Sequence, residues 1–373
     1  MANSRRRRIS PGIPLTDAHR TLFASVQKRG AQSVCFFNNK GGVGKTTLVA
    51  NLGAELSLNF EARVLVVDAD PQCNLTQYVL GDEEVLETYN NSNDPESVYS
   101  VIRPLSLGKG YGTNLPIRQS EAFGFDIIIG DPRLALQEDL LASDWKDARG
   151  GGMRGIRTTF VFADLVSKAK DLKYDFILFD MGPSLGAINR SVLLAMDFFV
   201  VPMSIDVFSS WAIRNIGNTI NIWQRELKTG IALAEDPAEL ESIDRTRTIR
   251  FLGYVTQQHR ERTEEDADLD VVESDEASET RRKRIVQAYE EISEKFPEQI
   301  SDSLGRFLDC VEINPFLGNV RHLGSLAPKS QSQHSPMISV RGTGRFVQSR
   351  KQAREIYRDI ARRYLENLEK FLR

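Results

Sequence analysis

The segment between Lys40 and Thr47 constrains the fold of this chain more than any other feature. It reads Lys-Gly-Gly-Val-Gly-Lys-Thr-Thr, with glycine at three of the four positions 41–44. The apolar run 32–37 before it predicts a buried strand, and apolar residues at helical spacing follow it. A glycine-rich turn in this setting leaves backbone N–H groups free to bind an anion at the positive end of the helix dipole. The sequence therefore predicts an α/β protein that binds phosphate at this turn.

The two side chains that follow the glycines match the needs of a nucleoside triphosphate. Lys45 can neutralise the outer phosphates, and the hydroxyl of Thr46 can bind Mg²⁺. Asn39 stands where the pattern G-x-x-x-x-G-K-[ST] has its first glycine, and asparagine is an ordinary residue that tolerates left-handed backbone. The predicted ligands are ATP and Mg²⁺. The predicted ATP-binding residues of the loop are Lys40, Gly41, Gly42, Val43, Gly44, Lys45, Thr46 and Thr47.

Carboxylates follow two other apolar runs. Asp68 and Asp70 come at the end of the run 64–67, and Asp180 comes after the run 176–179. Open α/β sheets bind ligands at the carboxyl ends of their strands. A carboxylate at such a strand end is suited to a Mg²⁺-bound water, so Asp180 completes a predicted metal site. For the other two carboxylates, capping of the strand end is the alternative.

The remaining pattern predicts the domain organisation. Apolar runs at 198–201 and 251–255 repeat the buried-strand signature, with helical patterns between the runs. This alternation predicts a doubly wound α/β fold, a mostly parallel sheet with helices on both faces. We expect a basic N-terminal extension at 1–30 and a single domain at 31–373. Two insertions at about 82–124 and 258–300 and an amphipathic C-terminal helix at about 350–372 complete the prediction.

A second lysine at the front of the loop, Lys40, gives the chain a resemblance to a known family. With the motif that begins at Asp68, it resembles the deviant Walker motifs of the ParA/MinD ATPases, although Cys73 replaces a glycine usual there. The resemblance implies a P-loop NTPase fold of the SIMIBI type and a slow ATPase that is a homodimer in its ATP state. It also implies that Lys40 reaches across the dimer to the phosphates of the other subunit. Asp70 would orient the attacking water, and Asp68 would help to organise the Mg²⁺ shell. The implied catalytic residues are Lys40, Lys45 and Asp70.

Shorter motifs extend the resemblance over about residues 32–372, to a longer, stand-alone bacterial branch of ParA-like ATPases. They lie at 130–134, 186–190, 202–206 and 318–322. In such proteins the positions of Asn314 and Pro315, and of the strand end near Thr256 and Gln257, are implied to lie by the adenine. A ParB-like or other protein partner is implied to stimulate hydrolysis, with partitioning or positioning of DNA or a large cargo as the output.

The charges of the chain are separated into blocks. The formal net charge of −3 argues against a surface that is basic throughout. ParA-like dimers commonly bind DNA without sequence preference through cations on phosphates, so the resemblance implies a basic surface. The candidates on the predicted last helix are Arg350, Lys351, Arg354 and Arg358, followed by Arg362 and Arg363. The basic block 281–284 and the N-terminal arginines are alternatives. Acidic residues interrupt the basic face of that helix, which argues against membrane binding.

Other functions have different sequence requirements. A subunit of a regulatory or defence complex could use the same ATP switch to bind proteins, and the sequence leaves this alternative open. An iron–sulfur reductase needs two cluster cysteines, but Cys73 has no counterpart near Asp180. A tyrosine autokinase needs a terminal tyrosine cluster, whereas Tyr357 and Tyr364 are isolated on an apolar stripe.

The sequence also predicts where the protein resides. It has no apolar run near the roughly 18–20 residues of a membrane span, and its first residues lack the apolar stretch of a secretory signal. We therefore expect a cytoplasmic protein, associated with the nucleoid if it binds DNA. Its three cysteines are widely separated, which favours reduced thiols over a disulfide framework.

Overall fold

A computed structural model describes residues 13–90, 95–204, 206–236, 248–257, 294–321 and 323–373. An eight-stranded sheet runs through the molecule in the order β3-β4-β2-β5-β1-β6-β7-β8. Its strands are β1 Gln32–Phe36, β2 Val64–Asp68, β3 Ile117–Ser120, β4 Phe125–Ile128, β5 Phe176–Asp180, β6 Phe198–Ser204, β7 Arg250–Gln257 and β8 Phe316–Val320.

The sheet is parallel except at one edge, where β3 runs antiparallel to β4. This confirms the predicted doubly wound, mostly parallel sheet. Every residue of β1, β2, β5 and β6 is buried. Strands covered on both faces need apolar side chains at successive positions, which explains the continuous apolar runs of the sequence.

Helices pack on both faces of this sheet. They are α1 Asp17–Gln27, α2 Lys45–Leu58, α3 Asn74–Val79, α4 Asp82–Asn90, α5 Val98–Ser106, α6 Glu138–Arg149, α7 Met153–Thr159, α8 Val161–Asp171, α9 Ala187–Ala195 and α10 Val207–Leu233. Further helices lie at 294–304 and Leu326–Ser332, and the C-terminal helix is Arg345–Leu372. Short 3₁₀ helices lie at Pro132–Gln137 and Gly305–Phe307.

Alternate residues of the central strands belong to two separate apolar cores. Val34 and Phe36 of β1 pack with α2 and the C-terminal helix, whereas Cys35 packs on the other face with α8, α9 and α10. Tyr357 and Tyr364 of the C-terminal helix are fully buried in the first core. Both tyrosines are therefore packing residues, as their position on the apolar stripe predicts.

The packed unit begins before residue 31. Val26 of α1 is buried, the Phe23 ring lies 6.0 Å from the Phe60 ring, and Ser25 Oγ donates to Glu369 of the C-terminal helix at 2.7 Å. The boundary predicted at residue 30 therefore does not coincide with the edge of the packed domain. The N-terminal arginines lie outside the described residues.

The predicted insertions have different outcomes. The segment 82–124 contains α4, α5 and the edge strand β3, so it contributes to the sheet. Most of the segment 258–300, with its acidic and basic blocks, lies outside the described residues. The C-terminal helix starts at Arg345, five residues before the predicted start. Among the described residues, no helix has the length and apolar character to cross a membrane.

Candidate nucleotide-binding site

The glycine-rich loop connects the carboxyl end of β1 to the start of α2. Gly42 and Gly44 have φ angles of 72° and 69°, left-handed values that favour glycine. A Cβ atom on Gly44 would lie only 1.9 Å from Oε1 of Gln257, whose amide Nε2 donates to the Gly44 carbonyl at 3.1 Å. The final glycine of the loop is therefore required both by backbone conformation and by the side chain at the end of β7.

Lys45 lies folded over this loop. Its Nζ donates to the carbonyl oxygens of Asn38 and Lys40, at 3.1 and 3.2 Å, and its side chain is buried. Burial lowers the pKa of Lys45, while nearby Asp180 and Asp70 oppose that shift. The two backbone carbonyls therefore hold the ammonium group against the loop.

Thr46 and Asp180 come together as the sequence predicts. The Thr46 hydroxyl donates to Asp180 Oδ2 at 2.7 Å. The other carboxylate oxygen, Oδ1, is buried and has no hydrogen-bond partner among the residues that the structure describes. Burial and the neighbouring Asp68 raise the pKa of Asp180 well above its usual range. A buried carboxylate oxygen without a partner beside a hydroxyl fits Mg²⁺, which is bound through one or two such groups and completes its shell with water and phosphate.

Asp68 has a different environment from the other two carboxylates. It is fully buried, and its Oδ2 accepts hydrogen bonds from the backbone N and the hydroxyl of Thr76, at 2.8 and 2.7 Å. Burial raises the pKa of Asp68 to about 6. The carboxylate thus anchors α3 to the end of β2. Thr76 was not predicted, and only its place two residues after Asn74 of the motif could have indicated it.

A cleft of about 710 Å³ opens above the loop, a volume typical of sites for small ligands. Asp70 lines the cleft, and its Oδ1 accepts a hydrogen bond from the Gln72 backbone at 3.0 Å. Of the predicted loop residues, 41–46 line the cleft. The cleft is also lined by Gln331, Ser332 and His334, which were not predicted.

Lys40 turns away from the cleft of its own chain. Its Nζ donates to Asp206 and, at 3.1 Å, to Ser204 Oγ, while its backbone N donates to Asn38 Oδ1 at 2.9 Å. Burial alone would raise the pKa of Asp206, but hydrogen bonds from Lys40 and Ser204 lower it. Asp206 also caps α10, because its Oδ1 accepts from the backbone N of Ser209 at 3.0 Å. The two lysines of the loop therefore have separate partners.

The structure does not bring Asn314 and Pro315 to this cleft. They precede β8, so they lie at its amino end, whereas the phosphate loop follows the carboxyl end of β1 in the same parallel sheet. The Asn314 carbonyl accepts a hydrogen bond from Asn367 near the end of the C-terminal helix, at 2.7 Å. A site at the adenine is therefore not supported for these two residues. Gln257, by contrast, lies beside the loop.

The predicted DNA-binding residues are largely engaged inside the domain. Arg358 is buried, pairs with Glu55 of α2, and donates to the Ile13 carbonyl at 2.7 Å. Arg350 and Arg354 donate to backbone carbonyls at 2.8 Å each. Lys351 is exposed. The assignment of Arg358 to a DNA surface is wrong, because its guanidinium is needed to pair a buried carboxylate.

The fold and this site define a P-loop nucleotide-binding protein. Residues 31–233 match the model of a family described as an AAA domain, and the chain belongs to that family. Within it, the chain is a ParA-like P-loop ATPase, as the resemblance implied.

Individual relatives agree with this assignment. The sporulation initiation inhibitor protein Soj of Bacillus subtilis is 28% identical over 203 residues, covering 54% of this chain and 69% of Soj. The chromosome-partitioning ATPase Soj of Treponema pallidum is 28% identical over 202 residues, covering 54% of this chain and 68% of that protein. A crystal structure of a Corynebacterium diphtheriae protein has 30% sequence identity and a TM-score of 0.60, covering 81% of this chain and 97% of that one.

Proposed function

We propose that this protein is an ATP-dependent switch that dimerises around ATP, hydrolyses it to ADP and phosphate, and couples this cycle to nonspecific DNA binding and to partitioning or positioning of DNA or a large cargo. The separation of the two lysines is the observation that carries the proposal. Lys45 donates to backbone carbonyls of the loop in its own chain, whereas Lys40 is held outside the cleft by Asp206. A lysine in that position is available for phosphates that a second copy brings.

The residues of the cleft support ATP hydrolysis. The N–H groups of the loop and the Lys45 ammonium would bind the phosphates, and Thr46 and Asp180 would hold Mg²⁺. The ion would neutralise charge that develops on the phosphates. Asp70, which lines the same cleft, would orient the attacking water, and Asp68 would keep the strand end in place through Thr76. ATP and Mg²⁺ are accordingly the proposed cofactors.

The surface beside Lys40 supports the homodimer. Phe208 and Trp211, on the first turns of α10 after Asp206, are 75% and 59% exposed. Large apolar side chains at such exposure are typical of contact surfaces. A second copy that covers them would also bring its phosphate loop towards Lys40. A ParB-like or other protein that stimulates hydrolysis is the proposed further partner, given the partitioning ATPase among the relatives.

Size-exclusion chromatography with light scattering tests this function. The protein is run in ADP, in ATP and in a nonhydrolysable ATP analogue, each with and without duplex DNA. We expect a monomer in ADP, a dimer in the analogue, and co-elution with DNA only in the dimeric state. A mass that is the same in all three nucleotides would contradict the proposal. A dimer that ignores DNA at low salt would favour the regulatory or defence-complex function.

A further inference from the structure

A long stretch of the chain contains no acidic residue. From 313 to 354, 42 residues include no Asp or Glu, although the chain carries 51 of them in 373 residues. The same stretch contains seven Lys and Arg residues. It includes β8, the helix Leu326–Ser332 and the start of the C-terminal helix. Such a segregated block of positive charge indicates an anionic partner more strongly than the net charge of the whole chain does.

Two of these cations lie against one aromatic ring, and a third lies in the loop beside them. The Lys329 Nζ is 3.8 Å from the centre of the Phe346 ring, and the Arg345 guanidinium is 5.6 Å from it. Arg341 is fixed nearby, because the Gln333 side chain both accepts from its backbone N at 2.9 Å and donates to its carbonyl at 3.1 Å. We call Lys329, Arg341, Arg345 and Phe346 the Phe346 cluster.

The cations of the Phe346 cluster have no carboxylate partner among the described residues. Arg341 and Arg345 are exposed, and in the part of the chain that the structure describes no carboxylate pairs with either of them or with Lys329. Arg358 and Arg362, further along the C-terminal helix, each have a carboxylate partner. The positive charge that remains available to a partner therefore lies at the start of this helix and not in its middle.

The Phe346 cluster adjoins the nucleotide cleft. The helix that carries Lys329 ends at Ser332, which lines the cleft together with His334. The Gln333 contact with Arg341 joins this helix end to the loop before the C-terminal helix. On the cleft side, Asp82 contacts the His334 ring at 3.4 Å. A partner on the cluster and a nucleotide in the cleft would thus contact one continuous segment.

We propose that the Phe346 cluster is the surface through which this protein binds the phosphate backbone of duplex DNA. The inference rests on the proposed function, and it assigns the DNA contact to residues other than the predicted set in the middle of the helix. Unpaired cations bind phosphates by releasing counterions, without reading the sequence. Contact with the Phe346 ring restricts the mobility of Lys329 and Arg345 before a partner binds, which favours their contact with a polyanion.

Charge reversal at the two exposed arginines tests this surface. Arg341→Glu/Arg345→Glu is compared with Arg225→Glu/Lys228→Glu, which makes the same change of charge at two exposed positions of α10 on the other face of the sheet. Fluorescence anisotropy with a random-sequence duplex, at several salt concentrations in the ATP analogue, measures affinity. We expect the first variant to bind DNA roughly tenfold or more weakly at low salt. Its log-log salt slope should fall by about 0.9 for each phosphate that it no longer neutralises.

Light scattering of the same samples separates the possible outcomes. Loss of DNA binding in the first variant alone, with the dimer retained, supports the Phe346 cluster. Unchanged affinity in that variant, or an equal loss in the α10 control, overturns it and leaves the proposed switch intact. If the unmodified dimer binds no DNA, the DNA step of the proposed function fails and the cluster proposal with it. Binding to vesicles that contain anionic lipid, but not to DNA, would also overturn it.

Discussion

Lys40 and Asp206 form an ion pair within one chain, beside the phosphate loop. The carboxylate has two further contacts, with Ser204 Oγ at 2.6 Å and with the backbone N of Ser209. Lys40 is therefore in a defined position before any partner arrives. A contact between Lys40 and the phosphates of a second copy would have to replace this pair, so the pair should oppose dimerisation.

Asp206→Asn should strengthen the ATP-dependent dimer. Asparagine keeps the N-cap of α10 but removes the negative charge that holds Lys40. The pair is about one-third exposed, so its contribution is that of a surface ion pair, about 0.2–1 kcal/mol. A homodimer would break two such pairs, one in each subunit, so the dimer dissociation constant should fall by roughly two- to thirtyfold. Light scattering across a range of protein concentrations in the ATP analogue measures it, and weaker dimerisation would contradict the competition.

Lys40→Ala should bind ATP as a monomer and fail to dimerise. The variant keeps Lys45 and the whole loop, but it loses the charge that we assign to the second copy. Mixing it with Asp70→Ala protein tests the geometry. In a mixed dimer, Lys40 of the Asp70→Ala chain reaches the site whose own Asp70 is intact, so hydrolysis should recover there. If Lys40→Ala alone hydrolyses ATP at the unmodified rate, the lysine has no role in the site.

Asp70→Ala should separate turnover from nucleotide binding. Positioning the attacking water stabilises the transition state more than the bound ground state, so turnover should fall by orders of magnitude while ATP affinity is nearly retained. Lys45→Ala is the matched comparison, since it removes an ammonium group from inside the loop and should weaken nucleotide binding itself. Titration with a fluorescent ATP analogue and single-turnover hydrolysis give the two quantities. Parallel losses in Asp70→Ala would refute its assignment.

Arg358→Ala should destabilise the domain and not act through DNA. It leaves Glu55, which is 1% exposed, as an unpaired buried carboxylate, and breaking such a pair costs about 3–5 kcal/mol. Urea unfolding followed by circular dichroism measures the free energy of unfolding. The double variant Glu55→Leu/Arg358→Met should recover most of the stability, because it removes both charges. A normal free energy of unfolding in Arg358→Ala would contradict the stabilising role of this ion pair.

The central part of the fold could be predicted because its signals are local. β2 and β5 are apolar runs that end at Asp68 and Asp180 of the site, and β1 is a buried strand that leads into the phosphate loop. The edge strands lack this signal. β3 is only partly buried, and β8 contains Gly318 and follows Pro315, so neither forms an apolar run. The prediction that Asn314 lies by the adenine was wrong for a related reason. Because β8 was not predicted, the sequence did not show that Asn314 lies at the amino end of a strand.

Contacts between segments that are distant in the sequence could not be predicted. The glycine-rich motif singled out Lys40. Nothing in the neighbouring sequence indicates that its partner is Asp206, 166 positions away. The basic stripe of the last helix suggested Arg358 for DNA, while its partner Glu55 comes from α2. Charge patterns along a helix do not distinguish an exposed cation from one that neutralises a buried acid. The absence of acidic residues around Phe346 was a sequence signal that a search for cations alone overlooks.

The contact between Gln257 and Gly44 limits how this chain can be shortened. The segment shared with the AAA family ends at residue 233, before β7 and the C-terminal helix. A fragment cut at that point would keep the complete phosphate-loop sequence. It would lose the side chain that contacts the last glycine of the loop, and the helix that covers one face of the sheet with Tyr357 and Tyr364. The smallest fragment able to fold with this loop intact is thus larger than the module that defines the family.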